Sequence, residues 1–170
     1  MALQQRYLLK VLECLVFDLL MLQKSCDGSS GIAGEMAIRL TEGEWMDNYF
    51  VFQDIVSLRL NIRNDNDFDL YVRMGLTGGT DNTQLVYTEP IIIPAFTSWD
   101  EQEFQLDNLY YTRLFGDTPI PLVFDDISEI TFFHNTSLSY FGETVNGDLK
   151  ISVIGIGAIL SSNENSINNL

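Results

Sequence analysis

One histidine, His134, and two cysteines, Cys14 and Cys26, are all the imidazole and thiol in this 170-residue chain. A zinc site built from His and Cys is therefore excluded, because such sites need several ligands at set spacings and neither cysteine sits in one. Any Ser-His-Asp or Cys-His mechanism would have to run through His134. Positive charge is also scarce. Nine Lys and Arg stand against 24 Asp and Glu, a formal charge of −15. Such a chain repels phosphate backbones and anionic lipid, which excludes nucleic acid as a partner and leaves a membrane reachable only through the N-terminal segment. No run of about 20 nearly uncharged residues is present, so a transmembrane helix is not expected. Internal repeats are lacking, and so is any sustained helical period after residue 30.

What the chain does have is apolar and aromatic content. A hydrophobic fraction of 46% with 12% aromatics is incompatible with general disorder and suits one domain with a sizeable core. Residues 1–26 read as an amphipathic helix or as a degenerate export signal. Leu8, Leu9, Leu12, Leu15, Val16, Leu19 and Leu22 share one helical face, and Arg6, Lys10, Glu13 and Asp18 lie largely on the other. Residues 27–34, rich in Gly and Ser, read as a linker. The domain is then expected over 35–160, with a polar tail at 161–170.

The organising stretch is VSLRLNIRNDNDFDLYVRMGL, residues 56–76. Val56, Leu58, Leu60 and Ile62 alternate with polar residues. After an Asn/Asp cluster, Phe68, Leu70, Val72, Met74 and Leu76 alternate again. Period-two alternation around a polar turn predicts a β-hairpin with one buried face. Charge selects its register: opposing Arg59 to Arg73 is unfavourable, whereas Arg63–Asp67, Asn61–Asp69, Arg59–Tyr71 and Ser57–Arg73 are compatible pairs. Asn64, Asp65 and Asn66 then form the loop.

Further strands are expected at residues 36–40, 45–52, 99–106, 127–134 and 149–160, and at 85–87 with 91–93, where Pro90 breaks the run. Seven or eight short strands without helical period predict an all-β fold, an antiparallel β-sandwich or jelly roll.

With these elements in place, the chain resembles the jelly-roll, carbohydrate-binding-module-like (galactose-binding-like) β-sandwich domains of secreted bacterial proteins. The resemblance is carried by residues 56–76, by IPAFTSWDEQEFQL (93–106), by DISEITFFHN (126–135), and by Phe141-Gly142-Glu143. It covers roughly residues 45–157. It implies an extracellular or cell-surface, non-catalytic module that binds polysaccharide or other glycan and works beside other protein domains or surface components. The chain departs from that pattern at Ile154-Gly155-Ile156, where an Asp-Asn pair is usual and a metal site is thereby put in doubt.

Three groups of residues could carry chemistry. Arg59, Asn61, Arg63, Tyr71 and Arg73 fall on the outer side of the expected hairpin and, with Trp99 at the rim, could hydrogen-bond and stack on a sugar. The alternative is a plain sheet face whose arginines pair with surrounding acids. Asp65, Asp67 and Asp69, spaced i, i+2, i+4, supply the oxygens that a structural calcium uses, or simply build a turn; an EF-hand is excluded by Leu70 and Leu76 at its sixth and twelfth positions. Glu101 and Glu103 raise an acidic hydrolase as an alternative to a binding module, but catalysis needs two carboxylates at a set gap across a cleft. The alternation of residues 127–134 turns the His134 ring inward, as a satisfied core histidine. No other cofactor is expected.

Overall fold

The structure, a computed structural model, describes residues 21–30, 34–41 and 55–158, without the side chains of 55, 56 and 153–158. The described chain forms β1 (Met21–Asp27), β2 (Ala37–Leu40), β3 (Ile55–Arg63), β4 (Leu70–Gly78), β5 (Thr83–Tyr87), β6 (Ile91–Ile93), β7 (Asp100–Gln105), β8 (Tyr111–Phe115), α1 (Ile120–Phe124), β9 (Ile127–His134) and β10 (Asn146–Ala158). The strands make two antiparallel sheets packed as a sandwich. One has the order β1-β10-β3-β7; the other runs β2-β9-β4-β5-β8, with β6 pairing β4 beside β5. Pro90 lies between β5 and β6, which together line one edge of β4, as a residue without an amide donor requires.

The alternating residues bury as expected. Leu58, Leu60 and Ile62 of β3, and Leu70, Val72, Met74 and Leu76 of β4, enter one core with Phe104, Phe132, Leu149 and Ile151. The expected pairing, however, is corrected. β3 bonds to β10 and β7, and β4 to β9, β5 and β6, so the two strands lie in different sheets. The polar residues between them make an arch across the end of the sandwich, not a hairpin. In an arch the two apolar faces meet across the core; in a hairpin they lie side by side. The alternation is the same in both, so the pattern alone could not choose.

Asn64 is the reason the arch holds. It is fully buried, and its amide nitrogen lies 2.8 Å from the carbonyl oxygen of Phe68 and 3.0 Å from those of Ile93 and Pro94. Its carbonyl oxygen accepts from the Asn66 backbone and side chain. Asn66 in turn donates to the Asp148 carbonyl and accepts from the Asp148 amide. Two asparagines thus tie the start of β4, the end of β6 and the start of β10 together, and buried polar atoms stay only where such partners exist.

The N-terminal boundary also moves. Residues 21–27, expected to end a helix or export signal and begin a linker, form β1, paired with β10 from Met21↔Ser152 to Asp27↔Asn146. Leu22 packs against the core and Cys26 is buried in it, while Gln23 and Ser25 are exposed. That is a period-two pattern which the apolar run before it obscured. Residues 1–20, the strand expected at 45–52 and the tail at 161–170 lie outside the described residues.

The larger sheet is covered on its outer side as well. Tyr140 closes over Phe133, Val86 and Ala37 to make a second apolar cluster. Gly75 lies beneath it: a Cβ there would come within 2.9 Å of Tyr140 Cε2 and 3.2 Å of Phe133 Cε1. Gly75→Val is therefore expected to destabilise by about 1–3 kcal/mol, as overpacking does, measured by urea unfolding; an unchanged midpoint would mean that Tyr140 does not seal this face.

A second polar knot joins the β4–β5 turn to the loop before α1. The Asp81 carboxylate accepts from the Thr118 hydroxyl (2.6 Å), the Thr83 hydroxyl (2.6 Å) and the amides of Asp117 (2.6 Å) and Thr118 (3.2 Å). The Thr118 and Thr83 hydroxyls hold this carboxyl well below the usual carboxylate range. Its contribution to stability is present above the unfolded-chain value of about 4 and is lost as pH falls toward the lower folded value. Asp81→Asn is thus expected to melt below the parent at neutral pH, with the gap closing in acid. A gap independent of pH would contradict this.

Candidate functional site

The residues singled out for ligand binding are not brought together. Arg59 and Asn61 point outward from the four-stranded sheet, whereas Tyr71 and Arg73 stand on β4 in the other sheet. Arg73 is buried, with 4% exposure. Its Nε donates to the Asn135 carbonyl (3.2 Å) and its Nη1 to the carbonyls of Tyr87 (3.0 Å) and Thr88. Burial lowers its pKa, partly offset by Glu89. This arginine braces two loops, and with Arg59 in the other sheet the expected Arg59–Tyr71–Arg73 patch is not assembled.

Tyr71 is half-buried, and its amide donates to His134 Nδ1 at 2.9 Å. His134 is buried and turned inward, and burial lowers its pKa against the opposing pull of Glu143, whose Oε2 is 3.8 Å from Nε2. With Nδ1 accepting, the neutral ring carries its proton on Nε2.

The Asp triad diverges too. Asp65 accepts from Arg63 Nε (2.8 Å) and Lys150 Nζ (2.7 Å), and Asp69 from the Ala95 amide (2.9 Å). Among the described residues no group of three or more His, Cys, Asp or Glu is placed to hold a metal ion. Asn135, first residue of an Asn-Thr-Ser sequon, is buried with its amide on the Phe141 carbonyl (2.7 Å), so the folded protein does not present it.

The surface that does gather polar side chains is the outer face of the four-stranded sheet. Direct pairs share a face, so register places Gln23 beside Lys150, Met21 beside Ser152, Ser152 beside Asn61, Asn61 beside Glu101, and Arg59 beside Glu103. Arg59 reaches Glu101 at 3.5 Å and the Ser57 hydroxyl donates to Glu103. Glu101 and Glu103 thus share one strand face and are engaged by their neighbours, unlike a hydrolase pair spanning a cleft. Three of the chain's nine basic residues, Arg59, Arg63 and Lys150, stand on this face, so it is locally far less acidic than the chain as a whole. Near its middle Ser152 is 5% exposed, and its hydroxyl has no hydrogen-bond partner among the described residues. A buried hydroxyl without a partner costs about 1–3 kcal/mol, and this one is closed off from solvent. No local pattern marks it, because one serine in a strand is unremarkable until its neighbours are known.

Trp99, 38% exposed, precedes β7 at the end of the same sheet, and Phe96, 73% exposed, is in the turn before it. Of the vaguer aromatic candidates, Tyr110 is exposed and stacks on Tyr87 at 5.8 Å, and Tyr111 is buried. Trp45 and Tyr49 lie outside the described residues. Among the described residues no helix is long and apolar enough to cross a membrane. Comparison with protein families, with curated proteins and with solved structures finds no match to this chain.

Proposed function

We propose that the chain is a non-catalytic, extracellular binding module directed at glycan, accessory to a larger surface or secreted system, and that its ligand lies on the outer face of the four-stranded sheet. The observation that carries the reading is the row of accessible polar side chains on this face, Asn61 beside Glu101 and Arg59 beside Glu103. Amide, carboxylate and guanidinium groups in one plane can each donate to or accept from a sugar hydroxyl, and the four strands span roughly 14 Å at their usual spacing. Trp99 at the edge supplies an apolar ring with a polar tip, the side-chain type that stacks on a sugar face.

A second reading is a structural or adhesive sandwich without a small ligand. Its support is that Lys150, Arg63, Asp65 and Asp148 already satisfy one another in a chain of ion pairs, from 2.7 to 3.5 Å.

A broad glycan array followed by titration calorimetry separates the two. Binding is expected, and Trp99→Ala or Asn61→Ala should each weaken it roughly tenfold, the equivalent of about 1.4 kcal/mol. An empty array, with self-association of the protein, would establish the second reading.

A further inference from the structure

We infer that the turn at residues 94–98 is a docking element for a protein partner whose surface offers an apolar pocket framed by basic side chains. This does not rest on the glycan reading, since it concerns residues outside the sheet face. Phe96 has φ +58°, the left-handed region that bulky L residues avoid and that glycine occupies without strain. The conformation is imposed from outside. The Phe96 amide donates to the Asn66 carbonyl (3.2 Å), the Asn64 amide to the Thr97 carbonyl (3.0 Å), the Thr97 amide to the Pro94 carbonyl (3.3 Å) and the Ala95 amide to Asp69 (2.9 Å). The buried arch therefore pins the turn, yet the phenyl ring gains little from it within this chain, being 73% exposed. A strained residue whose side chain is displayed to solvent marks a functional position rather than a packing one.

The occupant's chemistry follows from the neighbours. Ile92 is 52% exposed and Pro94 is also exposed. Phenyl and branched aliphatic groups have no polar tip for a hydroxyl-rich ligand, but they are the anchors that fill apolar pockets at protein interfaces. Asp69, which accepts from the Ala95 amide, and Asp100, two residues past the turn, are both exposed, and exposed Asp67 adjoins Asn66, whose carbonyl accepts from the Phe96 amide. Arg63, the cation at the start of the arch, is already paired with Asp65 at 2.8 Å. An aromatic knob with carboxylates around it, on a chain of charge −15, is complementary to a pocket with a basic rim, which also steers encounter.

The test uses a phage-displayed random peptide library, selected in parallel on the full chain and on Phe96→Gly, together with thermal melts of both proteins. The parent is expected to enrich peptides combining Arg or Lys with aliphatic or aromatic residues, and Phe96→Gly to bind them at least tenfold more weakly. Phe96→Gly is also expected to melt about 2–4 °C higher, the shift that relief of one strained residue gives in a chain of this size. No enrichment, enrichment of acidic peptides, equal binding by both proteins, or a lower melting temperature for Phe96→Gly would each overturn the inference. The last would show that the ring is held for stability rather than for display.

Discussion

Replacing Asn64 by alanine is expected to lower stability by about 3–4 kcal/mol, the largest loss of any single polar substitution in this chain. The amide nitrogen serves the carbonyls of Phe68, Ile93 and Pro94, and the amide oxygen serves Asn66. Truncation removes these bonds and leaves buried backbone groups without partners, and each such group costs more than its hydrogen bond contributed. Asn64→Asp should be about as damaging although it keeps the shape, because a carboxylate would face three carbonyl oxygens with nothing to donate. For a chain of this length the loss corresponds to roughly 10 °C in melting temperature. Urea denaturation gives the free energy directly. A loss below about 1 kcal/mol would mean that the arch is held by its backbone alone.

The second large effect concerns Arg73. Arg73→Met keeps much of the side-chain volume but withdraws the donors from the carbonyls of Asn135, Tyr87 and Thr88. A loss of about 2–4 kcal/mol is expected from the orphaned carbonyls. Arg73→Lys should recover only part of it, since a single ammonium does not reproduce the fork that serves two loops at once. Ligand binding by the remaining folded protein should be unchanged. This is the reverse of what the sequence suggests, where Arg73 reads as an exposed member of a binding patch. A stable Arg73→Met variant that had lost binding would return Arg73 to the site.

The contrast between these two residues shows what the sequence could and could not convey. Burial was legible: the even-numbered residues of β3 and β4 alternate, and each one with a described side chain is in the core. The sandwich class followed from that and from the strand count. Pairing was not legible. Alternation reports which side of a strand faces the core and is silent on which strand lies beside it, so the Arg59–Arg73 repulsion argument chose between two registers of a hairpin that does not form. The Asn/Asp cluster was recognised as a turn, but its composition suits an exposed loop as well as a buried knot. What makes Asn64 a fastener is the arrival of Ile93 and Pro94, some 30 residues later in the chain. Arg73 was misplaced for a related reason: its outward side is covered by the segment carrying Asn135 and Tyr140, which no local pattern announces. Trp99 was better served, because its odd separation from Phe104 already set it apart from the buried face, and it is exposed. Ser152 could not be found at all without its cross-strand neighbours Met21 and Asn61.

On the proposed reading a glycan lies on the outer face of the four-stranded sheet and not on the outer face of the other. Backbone amide chemical shifts, followed by heteronuclear NMR as an array-positive neutral oligosaccharide is added, test this most directly. Shifts are expected to be confined to Arg59, Asn61, Glu101, Ser152 and their strand neighbours, with Trp99 at the margin and with Tyr71 and Arg73 unmoved. Shifts centred on Tyr71 and Arg73, or no shift anywhere at millimolar oligosaccharide, would contradict it.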